Sequence, residues 1–173
     1  MIFRIFCSAV IIIGFGYGGF VYSERFSGRL KQLTEFYDGL SQLEFNVRYM
    51  NYPVSEAMKQ AGSVCGGAAK KIFTETAETL AKNYGITVEN AFCTSIDKNR
   101  KELNISEEEI EKLKSFTKTI GSGDRAAEIS NIETAKLRIF AAGEDAKEDI
   151  RKKVKMCRSM GFLLGLFLAI VLI

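Results

Sequence analysis

Both ends of the chain are apolar, and any fold has to accommodate that first. Residues 1–22 (MIFRIFCSAVIIIGFGYGGFVY) carry a single charge, Arg4. About 20 such residues, rising 1.5 Å each, cross a hydrocarbon layer of about 30 Å, so a transmembrane helix is expected here. A cleaved signal peptide is the competing reading. Against it, the apolar run is longer than the usual h-region of about 7–15 residues, and no small-x-small site precedes Ser23.

Residues 160–173 (MGFLLGLFLAIVLI) are uncharged throughout. As a helix they reach only about 21 Å, short of a full crossing unless Met156, Cys157 and Ser159 join them while Arg158 snorkels to the headgroups. A buried core helix is the alternative, but such a helix rarely presents Leu, Phe and Ile on every face. A C-terminal transmembrane segment is the expectation.

Lys and Arg number 24 against 21 Asp and Glu, a net charge of +3. That is too small to imply a nucleic-acid partner. The placement of the charges says more. Arg151, Lys152, Lys153, Lys155 and Arg158 crowd the approach to the C-terminal run as a basic flank facing lipid, which puts that flank in the cytoplasm. Arg25, Arg29 and Lys31 after the first span agree, and Arg4 opposes them weakly. Residues 23–159 are then a cytoplasmic domain between two anchors.

Histidine and tryptophan are absent, which removes histidine acid–base chemistry and the usual His/Cys zinc sites. Cys7, Cys65, Cys93 and Cys157 have no CxxC spacing and are expected as reduced thiols. No catalytic, cofactor-binding or metal-ligating residue is assigned.

Six helical patterns fill the middle, so the fold class is all-α, a six-helix bundle flanked by N- and C-terminal transmembrane helices. Leu30, Leu33, Tyr37, Leu40, Leu43, Val47 and Met50 form one stripe of a helix from about 23 to 50. Pro53, the only proline, makes a corner because it forces Tyr52 out of helical geometry and can open the next helix. A short helix over 54–61 follows, and GSVCGG (62–67) reads as a connection. It lacks the Lys-Ser/Thr ending and preceding strand of a nucleotide loop. Ala69, Ile72, Phe73, Thr76, Leu80 and Tyr84 mark a third helix, stopped by Gly85. Thr87 can cap a fourth, with Ala91, Phe92, Ile96 and Leu103 inward. Ser106 and Glu109 have capping-box spacing and start a fifth, whose stripe is Ile110, Leu113, Phe116 and Ile120.

IGSGDRAAEI (120–129) resolves as a corner between helices. Gly121 and Gly123 follow the last apolar residue of one helix, and Asp124 can cap the next. A phosphate loop would need a strand before it and Gly-Lys-Ser/Thr within it. Ile129, Ile132, Ile139, Phe140, Ala146, Ile150, Val154 and Cys157 then form a stripe that continues without proline into the C-terminal run.

These residues resemble the stage III sporulation protein AB family along the whole chain. The resemblance rests on the N-terminal span, SERFSGRLKQL after Tyr22, LSQLEFNVRYMNYPVSEAM (40–58), IGSGDRAAEISNI (120–132) and KKVKMCRSMGFLLGLFLAIVLI. The stretch around Tyr49, Pro53 and Glu56 and the Gly-x-x-Asp corner at Gly121 and Asp124 are its most telling parts. The family is similar to the cytoplasmic helical domain of type II secretion and type IV pilus platform proteins. The resemblance implies a place in the mother-cell membrane around the forespore, within a channel complex, and a secretion-type ATPase as partner. Gly123 and Glu128 stand where the family has serine and glutamine, so a contact that needs a neutral amide does not carry over.

The leading expectation is therefore a non-enzymatic, membrane-anchored scaffold. It would meet the ATPase, other channel proteins and, in a homo-oligomer, its own copies, with no nucleic acid and no cofactor. The candidate partner face joins Glu107, Glu108, Glu109 and Glu111 to the corner at Gly121, Gly123, Asp124 and Arg125, with Tyr49, Tyr52, Pro53 and Glu56 as a second group. An acidic first turn also stabilises its own helix, and corner aromatics more often pack than bind. A secreted helical protein starting near Ser23 is the alternative. Behind it stands a membrane hydrolase using Glu56, Asp97 and Asp124, which would need carboxylates from distant helices to converge.

Overall fold

The computed structural model describes residues 28–50, 52–83, 85–121 and 123–172, with side chains as far as Lys152. Among these residues the chain is all-helical, with six α-helices and no strand. Helix α1 covers 28–45 and closes in a π-helical turn, Asn46–Met50. Then come α2 (Val54–Val64), α3 (Gly67–Lys82), α4 (Val88–Lys98), α5 (Glu107–Lys114) and α6 (Arg125–Leu172). Single 3₁₀ turns follow α4 (Arg100–Glu102) and α5 (Ser115–Lys118). Arg29–Glu144 forms one compact unit, and the described residues from Asp145 onward belong to another.

The core of the first unit is built from residues at steps of three and four. Leu33, Phe36, Leu40 and Leu43 of α1 are fully or almost fully buried, as are Ile72 and Phe73 of α3, Phe92 and Ile96 of α4, and Ile110 and Leu113 of α5. Four phenylalanines form a continuous ring ladder through this core. Phe36 meets Phe73 at 6.2 Å between centroids, Phe73 meets Phe92 at 5.9 Å, and Phe92 meets Phe116 edge-on at 5.2 Å. These are favoured tilted and T-shaped arrangements, each adding about 0.5–1.5 kcal/mol to simple burial.

Close packing explains a glycine that helix propensity disfavours. A Cβ at Gly39 would come within 2.6 Å of the Phe73 ring and 2.7 Å of the Cys65 sulfur. Gly39 thus lets α1 lie against α3 where any side chain would push them apart. The Cys65 thiol is buried there, bonded to the Glu35 and Ala61 carbonyls, and burial pushes its pKa up to about 12. It remains a neutral thiol.

At the start of α1, two polar pins fix the loop before α5. The Gln32 side chain donates to the Glu102 carbonyl and accepts from the Asn104 amide, both at 2.7 Å. Arg29 donates to Glu109 at 2.6 Å, while Glu109 also accepts from the Ser106 amide at 2.7 Å. The Ser106 hydroxyl accepts in turn from the Glu109 amide at 3.3 Å, completing the expected capping box. Thr87 caps α4 by accepting from the Asn90 amide, again as its position implies.

The structure departs from the sequence expectation in several places. Met50 faces solvent and not the core, because the α-helix ends at 45 and the π turn changes the phase. Buried Asn46 accompanies that change, with its amide turned to the Ala57 carbonyl at 3.3 Å. Helix α2 runs on to Val64, so the GSVCGG connection shrinks to Cys65–Gly66. Leu103 lies in the loop after the 3₁₀ turn, half-exposed. In α6 the buried stripe of the first unit is Ile132, Ala135, Ile139 and Ala142, and Phe140 lies outside it.

Among the described residues no helix is long and apolar enough to cross a membrane. The expected N-terminal span, 1–22, lies outside the described residues, and 160–172 is helical backbone. The described residues therefore show the six-helix architecture.

Replacing Phe92, the central ring of the ladder, with alanine is expected to cost about 3–5 kcal/mol of stability. Denaturant unfolding of the full chain in detergent checks this, and a loss below about 1 kcal/mol would contradict the ladder's central place. Glu109 gives a pH signature. Burial works to raise its pKa, but Arg29 and the Ser106 amide outweigh that and hold the carboxyl below its ordinary range. A depressed folded-state value means the contribution is complete above the unfolded value of about 4.3 and is lost as pH falls through the folded one. Glu109→Gln should therefore flatten the pH dependence of the unfolding midpoint between about pH 5 and 3. Parallel profiles for the two proteins would refute it.

Candidate functional site

The α5–α6 corner is built by glycine geometry and carboxylate capping. Gly121 and Gly123 have φ of 86° and 84°, values that disfavour a side chain. Asp124 accepts from the Ala126 and Ala127 amides at 3.1 Å each, capping α6 as expected. Glu128, one turn into α6, reaches back and accepts from the Gly121 amide at 2.8 Å. Three of the corner's amides, those of Gly121, Ala126 and Ala127, are thus taken by the chain's own carboxylates, as helix-corner chemistry requires. The arrangement also gives Glu128 a task that a charged carboxylate performs well.

This corner is fastened to the end of α1. Arg125 Nε donates to the Val47 carbonyl at 2.8 Å, and Val47 lies in the π turn beside Tyr49. Two groups of candidate residues, far apart in sequence, therefore meet at one end of the bundle. Tyr49, Tyr52 and Pro53 are exposed there, with Met50 and Phe45 beside them, and the Phe45 and Tyr49 rings lie 5.2 Å apart. Pro53 precedes α2 and its carbonyl accepts from the Ala57 amide at 2.9 Å. Glu56, half-buried, accepts from Gln60 at 2.8 Å and lies 4.0 Å from Lys59.

Behind the aromatic group runs an ion network between α1 and α6. Arg48 bonds Glu44 at 2.8 Å and also Glu133, while Lys136 bonds Glu44 from the other helix. Desolvation opposes the Arg48 charge, but the Glu133 bond and the field of Glu44 prevail and raise its pKa above the ordinary arginine value. Its Nε is buried without an acceptor. Sequence reading did not find this network.

The acidic start of α5 lies elsewhere. Glu109 anchors it to Arg29, whereas the corner is tied to Val47, and these points are roughly 27 Å apart along α1 at 1.5 Å per residue. The single face that joined Glu107–Glu111 to Gly121–Arg125 is thus divided between the two ends of the bundle. Glu109 is moreover 2% exposed and fully engaged, so it leaves the candidate surface altogether. Glu107, Glu108 and Glu111 are exposed, but each has a local cation: Arg100, Lys112 and Lys114. Of the basic flank, Arg151 and Lys152 are exposed, with Lys152 bonded to Glu148 at 2.8 Å, while the side chains of Lys153, Lys155 and Arg158 lie outside the described ones.

Among the carboxylates considered for hydrolysis, Asp124 is occupied by capping and Glu56 by Gln60. Among the described residues no cluster of three or more His, Cys, Asp or Glu could hold a metal ion. A shallow cleft of about 250 Å³ between α3 and α4 contains Lys82 and Lys98, paired with Glu78 and Glu75 at 3.4 and 3.1 Å.

With this geometry in place, comparisons identify the chain's relatives. The family model for stage III sporulation protein AB matches residues 4–173. Stage III sporulation protein AB of Bacillus subtilis (strain 168) is 27% identical over 162 residues, 94% of either chain. A solved structure of a stage III sporulation protein AB superposes with a TM-score of 0.66 at 24% identity, covering 72% of this chain and 97% of that one, so the two share a fold. A match along nearly its entire length shows that the chain belongs to the stage III sporulation protein AB family.

Proposed function

We propose that within its sporulation role this protein is a non-enzymatic scaffold. It is held in the mother-cell membrane around the forespore and docks a secretion-type ATPase of a channel complex. The apolar runs 1–22 and 160–173 and the basic flank from Arg151 support the membrane anchor. The resemblance to platform proteins supports the ATPase as partner.

The single observation that carries the docking site is the Arg125–Val47 bond. It fastens the corner of Gly121, Gly123 and Asp124 to the exposed Tyr49, Tyr52 and Pro53, making one pre-organised surface. Exposed tyrosines beside an arginine are the side chains that most often carry binding energy at interfaces, because they bury large area at low entropic cost. By contrast, Glu107, Glu108 and Glu111 sit at the far end with their own cations.

The separation makes the reading testable with two variants of the full chain in detergent. Tyr52→Ala combined with Arg125→Ala should weaken binding of the ATPase at least tenfold, about 1.4 kcal/mol. Glu107→Lys with Glu108→Lys should leave it within about threefold, as expected for solvated rim charges. Titration calorimetry or biolayer interferometry would measure both, and the reverse ranking would move the site to the acidic end. For the anchor, the expressed protein should stay with membranes through a high-salt wash and leave only with detergent; release by salt alone would contradict a spanning segment.

A further inference from the structure

The docking end holds one cation whose hydrogen-bonding capacity is only partly used. A guanidinium carries five N–H donors in a planar fork. Arg125 gives its Nε–H to the Val47 carbonyl at 2.8 Å, and among the described residues its two terminal nitrogens meet no acceptor. Arg125 is exposed, so a partner can reach them. The Nε bond also holds the guanidinium in place. A long side chain has thereby given up rotamer freedom on folding, which lowers the entropic cost of any bond its outer nitrogens make later.

The acids of this end do not compete for the fork. Asp124 accepts from the Ala126 and Ala127 amides, Glu128 from the Gly121 amide, Glu56 from Gln60, and Glu133 from Arg48. Each has donors of its own, and among the described residues none pairs with Arg125. A guanidinium in this state selects an anion that can take two parallel N–H bonds at once, and a carboxylate has that spacing. A phosphate has it too, but a dianion would stand near Asp124 and Glu128, whose like charge opposes it more strongly than it opposes a single charge. Tyr49, Met50 and Tyr52 belong to the same end and are 64%, 43% and 46% exposed. A polypeptide with apolar residues around its acid would cover these side chains, exclude water from the ion pair and so strengthen it.

We infer that the partner segment received at this corner presents an aspartate or glutamate between apolar residues, and that Arg125 binds its carboxylate end-on through both terminal nitrogens. The inference rests on the docking reading and names the chemistry of its partner. Arg125 then has two tasks. Its inner nitrogen sets the corner against α1, and its outer pair reads the partner.

The test starts with the full chain in the producing cell. A photoreactive aromatic amino acid in place of Tyr52 is irradiated there, and mass spectrometry of the adduct locates the linked partner segment. That segment should carry an Asp or Glu within about one helical turn, roughly four residues, of the linked position. Binding of the identified partner to the full chain in detergent is then measured. Arg125→Glu should weaken it about tenfold or more, and replacing the located partner carboxylate with arginine should bring the variant back to within about threefold of wild type. Glutamate suits the first turn of a helix, so the variant is expected to fold, with unchanged helical circular dichroism as the check. Arg125→Lys keeps the charge but lacks the fork, and should cost about fivefold or more. The inference is overturned by a segment without a carboxylate, an exchange that restores nothing, a lysine variant that binds as wild type does, an adduct with lipid alone, or no adduct at all. An ATPase segment that fails the exchange removes the inference and leaves the ATPase reading standing. A different protein that passes it supports the inference and removes the ATPase.

Discussion

The ring ladder of Phe36, Phe73, Phe92 and Phe116 holds the helical unit together. It links α1, α3, α4 and the turn after α5 in a single chain of contacts, so each helix is oriented by the next ring and not by its own propensity. Propensity alone would do little here, since helices of 8 to 16 residues such as α2 to α5 are marginal in water without tertiary packing. Gly39 belongs to the same device. It removes the one side chain that would hold α1 away from the Phe73 ring.

Around this apolar centre, polar bonds set positions. Gln32 and Arg29 pin the loop and first turn of α5 to one end of α1, and Arg125 pins the opposite corner to the other. Both ends of α1 are therefore tied to distant parts of the chain by named bonds. Burying a charge as Glu109 is buried is tolerable only because Arg29 and the Ser106 amide compensate it together.

The parts of this arrangement legible in the sequence are local. The capping box of Ser106 and Glu109, the caps at Thr87 and Asp124, and the glycine corner all depend on residues within a few positions of each other. Their chemistry is the same before and after folding. The stripes of α3, α4 and α5 are equally readable, Leu103 excepted, because burial there follows helical spacing. What could not be read is where distant elements touch. Glu109 looks like any exposed first-turn acid until Arg29, 80 residues away in sequence, is placed beside it. Arg125 reaches Val47 across 78 positions, and that bond decides which candidate residues share a surface. Phe140 departs from its expected inward place for a related reason. It lies one step from the true stripe, and only the position of α1 determines which side of α6 is inside.

The π-helical turn at Asn46–Met50 has a consequence for how such a surface can vary between relatives. A turn of this type takes in one more residue than an α-helical turn, so everything beyond it is rotated by about 100° relative to an uninterrupted helix. Loss of a single codon there would restore the ordinary winding and carry Tyr49 and Met50 to another bearing, while Leu33, Phe36, Leu40 and Leu43 stayed as they are. The bearing of the side chains at that end of the molecule can thus be altered by changing chain length alone, with no exchange of amino-acid type, while the buried stripe of α1 before the turn keeps its register.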